Sequence, residues 1–212
     1  MKQYARLYSP GFLQGLQEGD AVMLSEDNFS HIKALRLQEG DLVEGFSGDG
    51  GAYVARLVAL ESKKAPFSAV IVAYVAETRM PKGAQTLALG ITRPQKMALI
   101  LQKATELGVR QVIPVLAQRS EVPAKSFSDE KRMRYEKIMH AACEQSGRNT
   151  LPTLEPVMHL DQAFAFLQGQ KGLRYLLDPN GPETLQQAWL YGVSEVIWFV
   201  GPEGGWSEEE KA

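Results

Sequence analysis

Several things are scarce or missing in this 212-residue sequence, and each absence narrows what it can be. Cys143 is the only cysteine. Neither a disulfide within the chain nor a cysteine-based zinc site can form, and a small reduced residue on a helix is the expectation. No uncharged apolar stretch approaches the roughly 18 residues that a membrane-crossing helix requires. The N-terminal MKQYARLYSP lacks the apolar core of a secretion signal, so the chain reads as cytoplasmic, with no membrane partner. Neither GxGxxG nor GxxxxGK(S/T) occurs, which removes the familiar dinucleotide and nucleoside-triphosphate cradles. GxSxG is missing too, which leaves a hydrolase without its nucleophile elbow. His31, His140 and His159 have no metal-ligand spacing, so no metal is expected.

A net charge of −2 gives no overall pull toward nucleic acid, but the charge is unevenly placed. Between Arg79 and Arg148 stand 13 Lys and Arg against six Asp and Glu, a local excess that could face phosphates. The alternative is a set of solvated helix faces with local pairs.

The rhythm of the chain also changes. Up to about residue 75 it reads as short β segments, Ala21–Leu24, Leu42–Phe46, Ala52–Val58 and Phe67–Val72, with SGDGG (Ser47–Gly51) supplying the positive-φ residues of a hairpin. Ser25 is the N-cap of an intervening helix in which Phe29, Ile32, Leu35 and Arg36 fall at helical spacing. The combination suggests a small β-barrel-like module. Beyond about residue 80, strands and helices alternate, which predicts an α/β domain with a largely parallel sheet. The predicted order is a strand at Thr86–Ile91, a helix from Pro94 to Gly108 and a strand at Val112–Leu116, then a long helix at Ser128–Gly147. A strand at Tyr175–Leu177, a short helix at Glu183–Leu190 and a strand at Val196–Val200 follow. Met97, Ile100, Leu101, Ala104 and Leu107 share one stripe of the first helix. Pro114 implies that its strand is an edge or near its end. The chain therefore divides into residues 1–75 and 76–212.

Three stretches could carry chemistry. GPEGG (Gly201–Gly205) lies between a buried strand and a helix whose start is marked by Ser207 and Glu210, a capping box. Glycines at the carboxyl edge of an α/β sheet let backbone groups approach a ligand, and Pro202 stiffens the loop; the plainer alternative is a structural turn. AACEQSGRN (Ala141–Asn149) clusters Gln145, Ser146, Arg148 and Asn149 at a helix end, where polar groups also serve simply to satisfy free carbonyls. LQKATELGV (Leu101–Val109) is followed by QRSEV (Gln118–Val122), and Lys103 and Glu106 alone are an ordinary surface pair.

Taken together with HIKALRLQEGD (His31–Asp41), ITRPQKMALILQKATELGVRQVIPV (Ile91–Val115), AACEQSGRNTLPTLEP (Ala141–Pro156) and FVGPEGGWSEEE (Phe199–Glu210), these stretches resemble the RsmE family of bacterial methyltransferases. That family methylates N3 of a uridine in 16S ribosomal RNA. The resemblance implies a PUA-like β-barrel at the N-terminus and a SPOUT-type α/β domain with a trefoil knot. It implies S-adenosylmethionine held by Leu176, Leu177, Gly201, Pro202, Glu203, Gly204 and Gly205, and catalysis by Arg148 with Gln145 and Ser146. Arg36, Arg93, Lys96 and Arg119 would track the RNA, and a homodimer is expected on the small ribosomal subunit. The family pattern continues past the helix that opens at Ser207, into a segment that closes the knot and completes the cofactor pocket. The sequence stops at Ala212, so an incomplete knot is expected. Two other readings differ in class or target: a non-catalytic RNA-binding protein, and a SPOUT methyltransferase that modifies a different RNA.

Overall fold

The computed structural model describes residues 4–61, 67–75, 81–123, 127–182, 184 and 194–212. The chain forms two compact units, one of Met1–Met80 with His140–Leu151, the other of Pro81–Met139 with Pro152–Ala212. Apart from Thr184, the predicted helix at Glu183–Leu190 lies outside the described residues.

The first unit is a five-stranded sheet in the order β1-β3-β4-β5-β2, with β1 at Ala5–Tyr8, β2 at Ala21–Met23, β3 at Leu42–Phe46, β4 at Ala52–Ala59 and β5 at Phe67–Val75. β3 and β4 form the expected hairpin, paired from Leu42↔Arg56 to Phe46↔Ala52, and Gly48 and Gly50 take positive φ in its turn. Alternation along the strands sends Leu7, Val43, Tyr53, Ala55, Leu57, Ala69 and Ile71 into one buried cluster. Helix α1 (Glu26–Ala34) is capped by Ser25, whose hydroxyl accepts from the Asn28 N–H while the Asn28 side chain accepts from the Ser25 N–H. Ile32 is buried as its spacing requires, but Leu35 is exposed. It is the C-cap, where the helix unwinds and the stripe no longer applies. Arg36 follows at φ 57°, and the bonds Arg36 N–H to Lys33 O and Leu37 N–H to Ile32 O complete a Schellman motif around it.

The second unit is an all-parallel sheet, β10-β11-β6-β7-β8, in which β6 is Ala84–Gly90, β7 Gln111–Leu116, β8 Thr153–Leu154, β10 Leu173–Leu177 and β11 Glu195–Val200. β9 (Met158–His159) also pairs with β7. Both faces are covered. Leu87, Leu89, Met97, Leu101, Val112, Tyr135 and Met139 pack on one side, Ala88, Ile113, Val115, Ala163, Leu167, Ile197, Phe199 and Trp206 on the other. Helix α2 (Pro94–Glu106) starts at its proline and is stopped by Gly108 at φ 93°. Leu107, expected to point inward, is 73% exposed because it too is a C-cap beyond the last full turn.

Helix α3 spans Asp129–Ser146, α4 Leu160–Leu167, and α5 Glu208–Lys211 behind the Ser207–Glu210 capping box. Pro114 is not at an edge: β7 has partners on both sides. The Val115 carbonyl accepts from Ile91 N–H on the β6 side and the Val112 carbonyl from Glu155 N–H on the other. Alternation then aims the missing Pro114 donor at the break between β8 and β9, not at a continuous ladder.

Candidate active site

The carboxyl edge of a parallel sheet is where strand ends leave room for ligands. In the second unit β10 and β11 run side by side to Leu177↔Val200, so the loops that follow them emerge together. Between them lies a cleft of about 770 Å³, lined by Tyr175, Leu176, Leu177, Asp178, Pro179, Gly181, Pro182 and Thr184 from one side and by Val200, Gly201, Pro202, Glu203 and Gly205 from the other. Six of the seven residues expected to hold a cofactor therefore share one cavity. Gly204 does not line it; a Cβ there would sit 3.0 Å from the Arg119 carbonyl instead.

Glycine is needed where this loop seats. A Cβ on Gly90, the last residue of β6, would fall 2.4 Å from Pro202 N and 2.8 Å from Gly201 C, both backbone atoms. Gly205 has φ +68° and donates its N–H to Pro202 O at 2.9 Å, closing the turn. The loop after β7 braces it: Gln118 donates through its N–H to Glu210 Oε1 at 2.8 Å and through Nε2 to Glu209 Oε2 at 3.0 Å, and Arg119 Nη1 donates to Gly204 O at 3.4 Å.

Among the described lining residues the charged side chains are two carboxylates, Asp178 and Glu203, with no Lys or Arg. A hydrogen bond from Lys211 Nζ, 2.6 Å from Oδ2, and a second from the Asn180 N–H hold the Asp178 carboxyl below its ordinary range. For Glu203, desolvation acts to raise the pKa but is outweighed by a hydrogen bond from its own N–H and by Lys96, 3.5 Å away, so it too sits low.

Glu144–Asn149 belong to the first unit. Gly147, at φ 82°, ends α3. Gln145 is exposed and Ser146 half-buried, its hydroxyl donating to Ala142 O at 2.7 Å. Arg148 is 1% exposed, and desolvation lowers the pKa of its guanidinium. Cys143 is buried, and desolvation lifts its thiol to about 11, leaving it inert. Of the residues expected to track RNA, Arg93, Lys96 and Arg119 are exposed in the second unit, with Arg93 paired to Glu121 at 2.9 Å; Arg36 is exposed in the first.

Sequence reasoning missed Tyr175, Asp178, Pro179, Gly181 and Pro182 as cavity wall, although the Pro-Asn-Gly-Pro run just after a strand was the available signal. It also missed β1, β8, β9 and α4, and with β1 the residue Arg6, for which no local signal exists.

Comparison with known proteins identifies the family. A family model described as an RNA methyltransferase domain matches residues 78–212, and one described as an RNA methyltransferase PUA domain matches residues 24–68. The chain is 28% identical over 205 residues to the ribosomal RNA small subunit methyltransferase E of Bacillus subtilis, covering 93% of this chain and 79% of that one. It is 25% identical to the Rickettsia conorii protein of the same name, covering 98% and 82%. The crystal structure of a ribosomal RNA small subunit methyltransferase E from Neisseria gonorrhoeae bound to S-adenosyl methionine superposes with a TM-score of 0.86 at 30% identity, covering 99% of this chain and 84% of that one. The fold is thus an N-terminal PUA-like unit with a SPOUT-type methyltransferase unit, and the chain belongs to the ribosomal RNA small subunit methyltransferase E (RsmE) family.

Proposed function

We propose that this protein transfers the methyl group of S-adenosylmethionine to N3 of a uridine in 16S ribosomal RNA. The observation that carries the reading is the cleft between the β10 and β11 loops, at the ligand-binding edge of the sheet. Its size is that of a small-molecule site. Its makeup suits this cofactor: apolar walls at Leu176, Leu177 and Val200, backbone left uncovered at Gly201 and Gly205, and two carboxylates where a phosphate cofactor would need cations.

When bound, the cofactor supplies an electrophilic sulfonium methyl, so the protein's work is alignment and proton removal. Gly201 and Glu203 would hold it from one loop, with Gly204 seated behind them against Arg119, while Leu176 and Leu177 would exclude water from the other side. Pro202 and Gly205 fix the loop's shape. N3 lies on the Watson–Crick edge of uracil, so the base must be unpaired or turned out of its stack. Gln145 and Ser146, at the end of α3, orient it, and the fixed charge of Arg148 favours its deprotonated form. Arg36, Arg93, Lys96 and Arg119 track phosphates. With that substrate the enzyme works in the cytoplasm on the small ribosomal subunit; as a separate part of the proposal, it works as a homodimer. Residues 1–75 form the PUA-like part and 76–212 the methyltransferase part.

The test is calorimetric titration of S-adenosylmethionine into the full-length protein, followed by nucleoside mass spectrometry of 16S RNA incubated with both. Saturable binding and new 3-methyluridine are expected. RNA binding without cofactor binding would leave a non-catalytic RNA-binding protein, and methylation of transfer RNA in place of 16S RNA would change the target. Light scattering checks the dimer, which a monomeric mass would refute.

A further inference from the structure

β1 has two faces. Leu7 enters the core, while Arg6 and Tyr8 point the other way, beside Glu44 and Phe46 of β3, with which they are in register. This second face grips the end of α3. One Arg6 amino group, Nη2, donates to Arg148 O at 2.7 Å and to Asn149 Oδ1 at 2.8 Å. The other, Nη1, is paired with Glu44, and the guanidinium lies 4.5 Å from the Phe46 ring centroid. Two residues on, the Tyr8 N–H donates to Glu144 Oε1 at 2.8 Å, and His31 Nδ1 stands 3.3 Å from Glu144 Oε2. Arg6, Glu44, Arg148 and Asn149 are all 8% exposed or less.

A buried ion pair is weak evidence of stabilisation, because apolar residues of similar volume in its place often leave a protein as stable or more so. What apolar residues could not supply is the fork that reaches a main-chain carbonyl and a side-chain amide of consecutive residues.

We propose that Arg6, seated by Glu44, is a positioning residue for methyl transfer: it fixes the main chain at Arg148–Asn149 and thereby the presentation of Gln145 and Ser146 one turn earlier. The proposal rests on the base-orienting role given to that segment above.

The test is the double variant Arg6→Met/Glu44→Leu of the full-length protein, with Arg6→Lys beside it. The double variant is expected to melt close to the wild-type temperature and to stay folded at assay temperature: both charges leave together, while Arg148 O and Asn149 Oδ1 lose one donor. Amide exchange at Arg148, Asn149 and Thr150 should nevertheless quicken by about tenfold or more. Its kcat should fall on the order of tenfold to a hundredfold, with KM for RNA and cofactor affinity unchanged. A purely structural pair would show no such split, since restored stability would restore turnover. Arg6→Lys keeps the charge beside Glu44 without the fork and should shift kcat and exchange in the same direction; it carries the test if the double variant fails to fold. Wild-type exchange at 148–150, or wild-type kcat in the double variant, overturns the proposal. If the wild-type protein itself transfers no methyl group, the enzymatic reading fails, and the exchange rates alone decide whether Arg6 fixes the segment.

Discussion

The loop Gly201–Gly205 and the segment Gln145–Asn149 both stand out in the sequence, yet the protein builds them in opposite ways. The loop is made of backbone: glycine on β6 admits it, a glycine turn closes it, and its ion pair to Lys96 is solvent-facing. The segment is held by side chains, through a charge cluster removed from water. A cavity that must admit a ligand wants a fixed wall with few side chains to reorder. A segment that must present side chains wants its own main chain anchored from behind. The two regions should therefore fail for different reasons.

The largest effect should come from breaking the buried pair on one side alone. Glu44→Leu leaves the Arg6 charge buried without its carboxylate, which should cost about 3–5 kcal/mol in urea unfolding. A loss under about 1 kcal/mol would put the pair in the class of surface contacts and erase the contrast between the regions. Next in size is Gly90→Ala. Its methyl meets backbone of Gly201 and Pro202, so the loop itself must shift, at about 1–3 kcal/mol and with most of the cofactor affinity lost. Unchanged calorimetric affinity in that variant would mean that the loop's seat on β6 does not shape the cleft.

How far the sequence foretold these regions follows the same division. What depends on neighbours in the chain was readable: the Ser25 and Ser207 caps, Pro94 at the start of α2, Gly108 at its end, and the strand-loop-helix setting of GPEGG. The stripe rule failed at Leu35 and Leu107, where the helices unwind. β8 and β9, two residues each, are too short to show a period. In α4, Leu160, Ala163 and Leu167 form a buried face at helical spacing, but the apolar Phe164, Ala165 and Phe166 beside them blur that stripe in the sequence. β1 was hidden because Arg6 reads as a surface residue; its partner lies 142 positions away, and no local pattern announces that. Nor does local pattern set the order β10-β11-β6, which brings the two cleft loops together.

Among ion pairs, Lys96–Glu203 is the counterpart of Arg6–Glu44. With side chains 55% and 23% exposed, Lys96→Met should change stability by no more than about 1 kcal/mol. A loss as large as that of Glu44→Leu would show that the loop, too, depends on charge.

The smallest effects concern acid, and they should have opposite signs in the two regions. Burial raises the pKa of Glu144, against the opposing pull of the Tyr8 N–H, His31 and Arg6. Glu203 is lowered, its desolvation outweighed by hydrogen bonding and Lys96. A carboxyl lowered in the folded state stabilises above its unfolded pKa and loses that contribution as pH falls through the folded value. A raised one contributes fully below the unfolded pKa and loses that contribution as pH rises through the folded value. Between about pH 7 and pH 4, the stability difference between wild type and Glu203→Gln should therefore shrink toward acid. The difference between wild type and Glu144→Gln should grow toward acid, whatever its offset at neutral pH from the lost contacts to His31. Two slopes of the same sign would mean that the segment's carboxylate is as well solvated as the loop's, and that burial is not what distinguishes the two regions.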